Sequence, residues 1–155
     1  MPIVYCLVHN HAFPSGIANR IEVGFYESPA RAEDARLGAI KLPGFRERPE
    51  SFVVETFRLD DADEDGAPPQ MFFSLYFDRE IVHRDAAGNI LFYEDIEKTL
   101  GVYSTAVKAA EALVTRLREP EYSDYATCFS ISGGELNSTG WETGYFTPDD
   151  EERQS

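Results

Sequence analysis

Basic residues are scarce in this chain. Only 14 Lys and Arg stand against 28 Asp and Glu in 155 residues, a formal net charge of −14. A field of that sign repels phosphate at long range, so nucleic-acid and anionic-membrane binding are not expected and a basic partner is favoured. Cysteine is almost absent. Cys6 and Cys128 lie far apart inside apolar, strand-like runs and read as buried free thiols in a reducing compartment. No run of about 18 apolar residues occurs, so no membrane-spanning helix is expected. The opening MPIVYCLVHNHAF lacks the basic flank and longer apolar run of a secretory signal. A cytoplasmic protein is the expectation. Also missing are G-x-x-x-x-G-K-S/T, G-x-G-x-x-G and G-x-S-x-G sequences, so no cofactor is expected and catalysis is not favoured.

What the chain does have is core material and a repeat. Hydrophobic residues make up 43% and aromatics 13%, a composition that can build a packed interior. The stretch GFYESPARAEDARLGAIKLPGF from Gly24 returns as GVYSTAVKAAEALVTRLREPEY from Gly101, an offset of 77 residues that holds without a gap from Ile21 to Val54. Gly24 meets Gly101, Tyr26 meets Tyr103, Ala32 meets Ala109, Pro43 meets Pro120 and Phe52 meets Phe129. Such matches, placed where geometry is demanding, predict a duplicated unit.

Each unit reads as β-β-α-β. In the first, Ile3–Val8 and Ile21–Tyr26 predict strands joined at Pro14-Ser15-Gly16. Ser28 and Pro29 then start a helix whose apolar side carries Ala32, Ala35, Ala39 and Ile40. Pro43-Gly44 ends it, and Phe52–Leu59 is the third strand. In the second, Met71–Phe77 and Thr99–Tyr103 predict strands separated by a longer connection. Ser104 or Thr105 caps a helix with an apolar face of Val107, Ala110, Val114 and Leu117, and Thr127 to about Leu136 forms the last strand. Gly133-Gly134 suggests a bulge, bend or break within it.

The expected organisation is a first unit over 1–59, an acidic and Pro-rich linker over 60–69, a second unit over 70–146 and an acidic tail over 147–155. One such unit is too small to bury much surface alone. The fold expected is therefore a pseudo-twofold α+β domain, mainly antiparallel, with two helices packed on one side and either one sheet or two.

Some of these residues also carry a resemblance. Gly101-Val102-Tyr103-Ser104-Thr105, Lys108-Ala109 and Pro43-Gly44-Phe45-Arg46 resemble a family of small, functionally uncharacterised bacterial β-β-α-β domains. Those domains carry a GxYSS stretch, a short helix, LPGFRDYP, an FxIDxYEL-like strand and a W-x-E-G-F ending. The first unit has PGFRERPESFVVETFRL; the second has GVYST and ELNSTGWETGYF. Val8-His9-Asn10-His11 followed by Ala12 is similar to the family's HxHE opening without its Glu. The resemblance implies an immunity or accessory protein of a bacterial toxin system, with no agreed catalytic residues and a cognate toxin as partner.

Candidate sites follow from residue chemistry. Glu121, Tyr122, Asp124 and Tyr125, with Trp141 and Glu142, combine aromatic rings and acids in the way a docking surface for a basic partner does. The linker acids Asp60 and Asp61 are a further place for such a contact. His9 and His11, two apart on a strand, share a face and are weak metal candidates that lack a placed third ligand. Asp78-x-Glu80 with Asp85, and Glu94-Asp95 with Glu97, read as solvated carboxylates at strand ends. The expected function is a non-enzymatic immunity protein. Its alternatives are a metal-dependent enzyme using His9 and His11, or a small-ligand-binding regulatory domain with a pocket between the units.

Overall fold

The computed structural model describes residues 2–12, 18–59 and 69–145, the side chains of 11, 12, 18 and 19 excepted. Its elements are β1 (Ile3–Ala12), β2 (Ala18–Tyr26), α1 (Pro29–Ala39), β3 (Phe52–Arg58), β4 (Met71–Arg84), β5 (Ile90–Tyr103), α2 (Ala106–Arg116) and β6 (Phe129–Glu135). The class is α+β. Of the alternatives left open by the sequence, two sheets form, each antiparallel and three-stranded, in the orders β2-β1-β3 and β5-β4-β6.

Alternation along β1 separates two layers of packing. Val4, Cys6 and Val8 pack with Phe25, Leu59, Phe72, Val102 and Leu136, a core drawn from both sheets. Phe25 and Phe72 meet across it with ring centroids 4.4 Å apart. Leu7, on the opposite face of β1, packs with Ile21, Val23, Ala32, Ala39, Phe45 and Tyr145 beneath α1. The expectation of both helices on one side is therefore corrected. The sheets share the inner core, and the helices cover their outer faces, because each sheet is apolar on both sides.

The 77-residue offset recurs in local structure. Ser28 and Thr105 cap the two helices by accepting from the backbone N–H of Arg31 and Lys108, each at 3.2 Å. On the first strands the recurrence is at 68 residues, with register shifts at Leu7/Val8 against β2 and at Leu75/Tyr76 against β5. Gly24 and Gly101 face these irregularities, and the rings of Tyr26 and Tyr103 lie over them where a Cβ would collide. That close approach explains the shared Gly-x-Tyr. On the outer faces, His9, Phe45 and Phe52 form a ring cluster with centroids 4.8–5.5 Å apart. Phe77, Tyr122 and Phe129 do the same at 5.0–5.5 Å.

Three further expectations change. β4 and β5 run on to Arg84 and from Ile90, so the longer connection is a continuous hairpin arm closed by a tight turn at Asp85–Asn89. Helix α2 leaves Val107 66% and Val114 52% exposed and buries Ala109 instead. Two apolar lines ran along that helix, and close contact with a sheet selects the one with the small side chain. Gly133-Gly134 sits in an unbroken β4–β6 register. Cβ atoms there would meet the rings of Phe73 at 3.2 Å and Phe72 at 2.8 Å, so these glycines make room for aromatic packing. Among the described residues, no helix is long and apolar enough to cross a membrane.

Candidate functional site

A heavily charged junction lies where β2 of one sheet approaches β5 of the other. Arg20 enters this space with only 6% of its side chain exposed. Its guanidinium pairs with Glu22 at 3.0 Å and with Glu55 of β3, and lies 5.7 Å from the centroid of the Tyr76 ring. The Arg20 backbone N–H donates to Glu97 Oε2 at 3.1 Å, and Thr99 Oγ1 donates to Glu22 Oε1 at 2.9 Å. Burial alone would weaken the arginine's hold on its proton, but Glu55 and Glu22 outweigh that and raise its pKa. The buried cation is thus shared between two acids of its own sheet, while the Arg20 amide on Glu97, Thr99 on Glu22 and the Tyr76 ring tie this group to the other sheet.

Beside this tie the acids outnumber the cations. Asp78, Asp95 and Glu97 place carboxylate oxygens within 4.8 Å of one another. Hairpin pairing causes this: Asp78 lies opposite Glu97, and Glu80 opposite Asp95. Burial raises the pKa of Asp78, and the Asp95 charge adds to it. Burial likewise raises Glu97, with further repulsion from Asp78 and Asp95 opposed by the Arg20 amide and charge. A cavity of about 250 Å³, lined by Asn10, Arg20, Asp95, Ile96 and Glu97, opens at this point. Like charges held together in a notch favour an incoming cation, whether a basic side chain or a hard metal ion.

A stability test follows directly. The folded pKa of Asp78 lies above its unfolded value, so its favourable contribution is present below the ordinary aspartate range and is lost as pH rises through the folded value. Asp78→Asn is therefore expected to be more stable than wild type at pH 7, by about 0.5 kcal/mol once solvent screening is allowed for. The difference should close near pH 3. Urea denaturation at the two pH values measures it, and a variant no more stable at pH 7 contradicts the charge reading.

The residues singled out from the sequence divide between two places. Glu121 and Asp124 are exposed in the turn after α2, Glu121 within 3.4 Å of Lys98 Nζ. Tyr125 is half-buried, with the Arg79 guanidinium 4.0 Å over its ring. Tyr122 is buried between Phe77 and Phe129 and belongs to the outer core of that sheet. Trp141 and Glu142 lie elsewhere. After β6 the chain crosses to the first unit, where Asn137 and Gly140 donate backbone N–H groups to Phe25 O and Val23 O, and Tyr145 to Pro43 O. Trp141 is 47% exposed on this strap and has φ +58°, a conformation costly for a bulky side chain. Asp60 and Asp61 lie outside the described residues.

His9 is fully buried, and both its ring nitrogens are engaged. Nε2 meets the Arg48 carbonyl at 2.9 Å and Nδ1 meets Tyr145 Oη at 3.2 Å. A carbonyl only accepts, so Nε2 carries the proton and Nδ1 accepts from the tyrosine. This arrangement leaves His9 no lone pair for a metal. The backbone of His11 pairs with Asn19, and its side chain is outside the described residues.

Sequence reasoning missed the Arg20 tie and grouped the acids by their neighbours in the chain. Counting back from the turn at Asp85–Asn89 sets Asp78 opposite Ile96, and only the register shift at His83/Arg84 brings it opposite Glu97. Nothing local could have brought Arg20 to them. The chain matches no known family model, no curated protein and no solved structure. Fold and site together define an α+β protein of two antiparallel sheets with an acidic notch at their junction.

Proposed function

We propose that this protein is a non-enzymatic immunity protein of the bacterial cytoplasm, which binds a cognate basic toxin and occludes its active site. The observation that carries this reading is the notch at Asp78, Asp95 and Glu97, where carboxylates repel one another more than Arg20 compensates. A lysine or arginine of a partner relieves that repulsion on binding. The net charge of −14 steers such a partner from a distance. Toxins that attack nucleic acids carry basic clefts, which suit an acidic plug. Resemblance to the small bacterial β-β-α-β domains supports the same reading. Trp141 on the strap and Tyr125 after α2 offer exposed or half-exposed ring surface at two further places.

The two β-β-α-β halves are read as diverged copies of one unit. Helix caps and Gly-x-Tyr stretches that recur at 77 residues, with register shifts that recur at 68 on the first strands, support this. Divergence then gave the second half its longer arm and its acids. The metal-dependent alternative loses His9 to the core; among the described residues three carboxylates lie together, and the His11 side chain is outside them.

Charge reversal tests the docking surface. Asp124→Lys, Glu142→Lys and Asp95→Lys are each expected to slow association with the purified toxin about tenfold at low salt, with smaller changes in dissociation. Stopped-flow binding measures this. Unchanged rates in all three variants reject the acidic surface as the toxin's landing site.

A further inference from the structure

We propose that the groove between β2 and β6 is a binding site for a guanidinium group, carried by a small molecule or by an arginine of a protein partner. The groove is a cavity of about 360 Å³ at the junction of the two sheets, large enough for an alkylguanidinium. Glu22 lines it on β2, Ser132 and Gly134 on β6, and the buried Phe25, Phe72 and Ser74 form its floor.

The sequence leaves this space open. Residues opposed in an antiparallel pair share a face. Phe72 belongs to the core between the sheets, so Gly134 and Ser132, opposite Phe72 and Ser74, also face inward. On the other side of β4, Val102 stands opposite Ser74 and is 1% exposed. The inner layer is therefore filled by a branched apolar side chain on β5 and by nothing larger than serine on β6. Ser74 is itself out of place in such a layer. It is 5% exposed, yet its one hydrogen bond among the described residues, to Ser132 O, is 3.5 Å long. That distance is at the outer limit for a hydroxyl, and a buried polar group so weakly paired is costly unless something else meets it.

The lining selects the ligand. Its polar side chains are serines and glutamates, and none carries an N–H. Glu22 Oε1 accepts from Arg20 and Thr99 at 3.0 and 2.9 Å, while its Oε2 has no hydrogen bond among the described residues. Carboxylates only accept, so the groove rejects anions and takes a cation rich in donors. The Phe25 and Phe72 rings, with centroids 4.4 Å apart, add an apolar surface. A planar, weakly hydrated guanidinium packs on such a surface better than a compact, strongly hydrated ammonium. The Ser74 and Ser132 hydroxyls accept from its remaining N–H groups. The groove shares no lining residue with the notch, so this site stands independently of the immunity reading.

The test is an amide chemical-shift titration of the 15N-labelled full chain with butylguanidinium, butylammonium and arginine blocked at both ends. Butylguanidinium is expected to saturate with a Kd of about 1 mM, ordinary for a ligand of so few atoms, and to move the Gly133, Gly134 and Gly140 amides most. Butylammonium should bind about fivefold more weakly. Ser74→Val fills the groove from its floor and is expected to weaken binding about tenfold. Ser132→Leu fills it from an exposed position, with the same expected loss, and guards against a change of fold in the first variant. Asp95→Asn in the notch should leave binding unchanged. Blocked arginine binding as well as butylguanidinium supports the site and assigns it to a protein side chain; binding about tenfold weaker supports it and assigns it to a free small molecule. The proposal is overturned by the lack of any saturable shift, by shifts centred on Asp95 and Glu97, by equal binding of the ammonium, or by binding that survives both filled grooves.

Discussion

Replacing His9 with alanine is expected to lower the stability of the protein by about 3 kcal/mol, from lost ring packing and two orphaned hydrogen-bond partners. His9 packs against Phe45, Phe52 and Tyr145. It also satisfies the Arg48 carbonyl and the Tyr145 hydroxyl. Through Tyr145 it anchors the strap that carries Trp141. The other sheet sharpens the argument: His9 pairs with Phe52 on β3, and Phe77 occupies the corresponding place opposite Phe129 on β6. A phenylalanine therefore fits the architecture but makes no hydrogen bonds. His9→Phe is expected to cost about 1–2 kcal/mol, the price of the unpaired polar groups alone.

The same residue makes stability depend on pH. Burial lowers the His9 pKa, partly opposed by its hydrogen bond to the Arg48 carbonyl. A depressed folded pKa means a contribution that is present above the unfolded value, near 6.5 for histidine, and lost as pH falls through the folded value. Wild type should therefore lose stability between pH 7.5 and 5 by more than His9→Phe does. Urea denaturation of both proteins at the two pH values reads this. Parallel pH profiles would contradict the neutral, doubly bonded imidazole.

Arg20→Met should cost about 3 kcal/mol, because Glu22 and Glu55 then face each other without their shared cation. The figure sits at the low end for buried pairs, since the Glu55 side chain is 39% exposed. Combining Arg20→Met with Glu22→Gln and Glu55→Gln removes the uncompensated charge and is expected to recover most of the loss. Chemical denaturation of the single and triple variants decides between a tie made of charge and one made of shape. A loss under about 1 kcal/mol for the single variant contradicts the tie, and a triple variant no better than the single assigns the loss to lost packing.

Much of this fold was legible because its signals are local. Ser28-Pro29 and Ser104-Thr105 marked helix starts, Pro43-Gly44 marked the end of the first, and alternation in β1 marked a strand. The two glycine–tyrosine pairs were visible as a repeat, although their cause, a ring lying over a strand irregularity, needed three dimensions. Helix α2 misled because Val107 and Val114 form as good an apolar line as Ala109 and Leu113. Only the distance to the sheet distinguishes them. The arm misled for another reason: Ile90-Leu91-Phe92-Tyr93 resembles core sequence, yet among the described residues no third strand or helix covers it. Of the site, Glu121, Asp124, Trp141 and Glu142 are exposed as acidic and aromatic surface residues should be, but Trp141 and Glu142 sit on the first unit. That strap could not be foreseen, since hydrogen bonds from Asn137 and Gly140 to β2 leave no periodic trace in the sequence.

The central claim is that an acidic notch receives a basic toxin, and coexpression with the neighbouring open reading frames tests it most directly. The tagged chain would be purified at low and at high salt, and any complex identified by size-exclusion chromatography and mass spectrometry. The account predicts one basic partner that kills cells when expressed alone, is neutralised by this chain, and binds more weakly as salt rises. A chain that purifies without a partner, beside neighbours that are harmless alone, would contradict it.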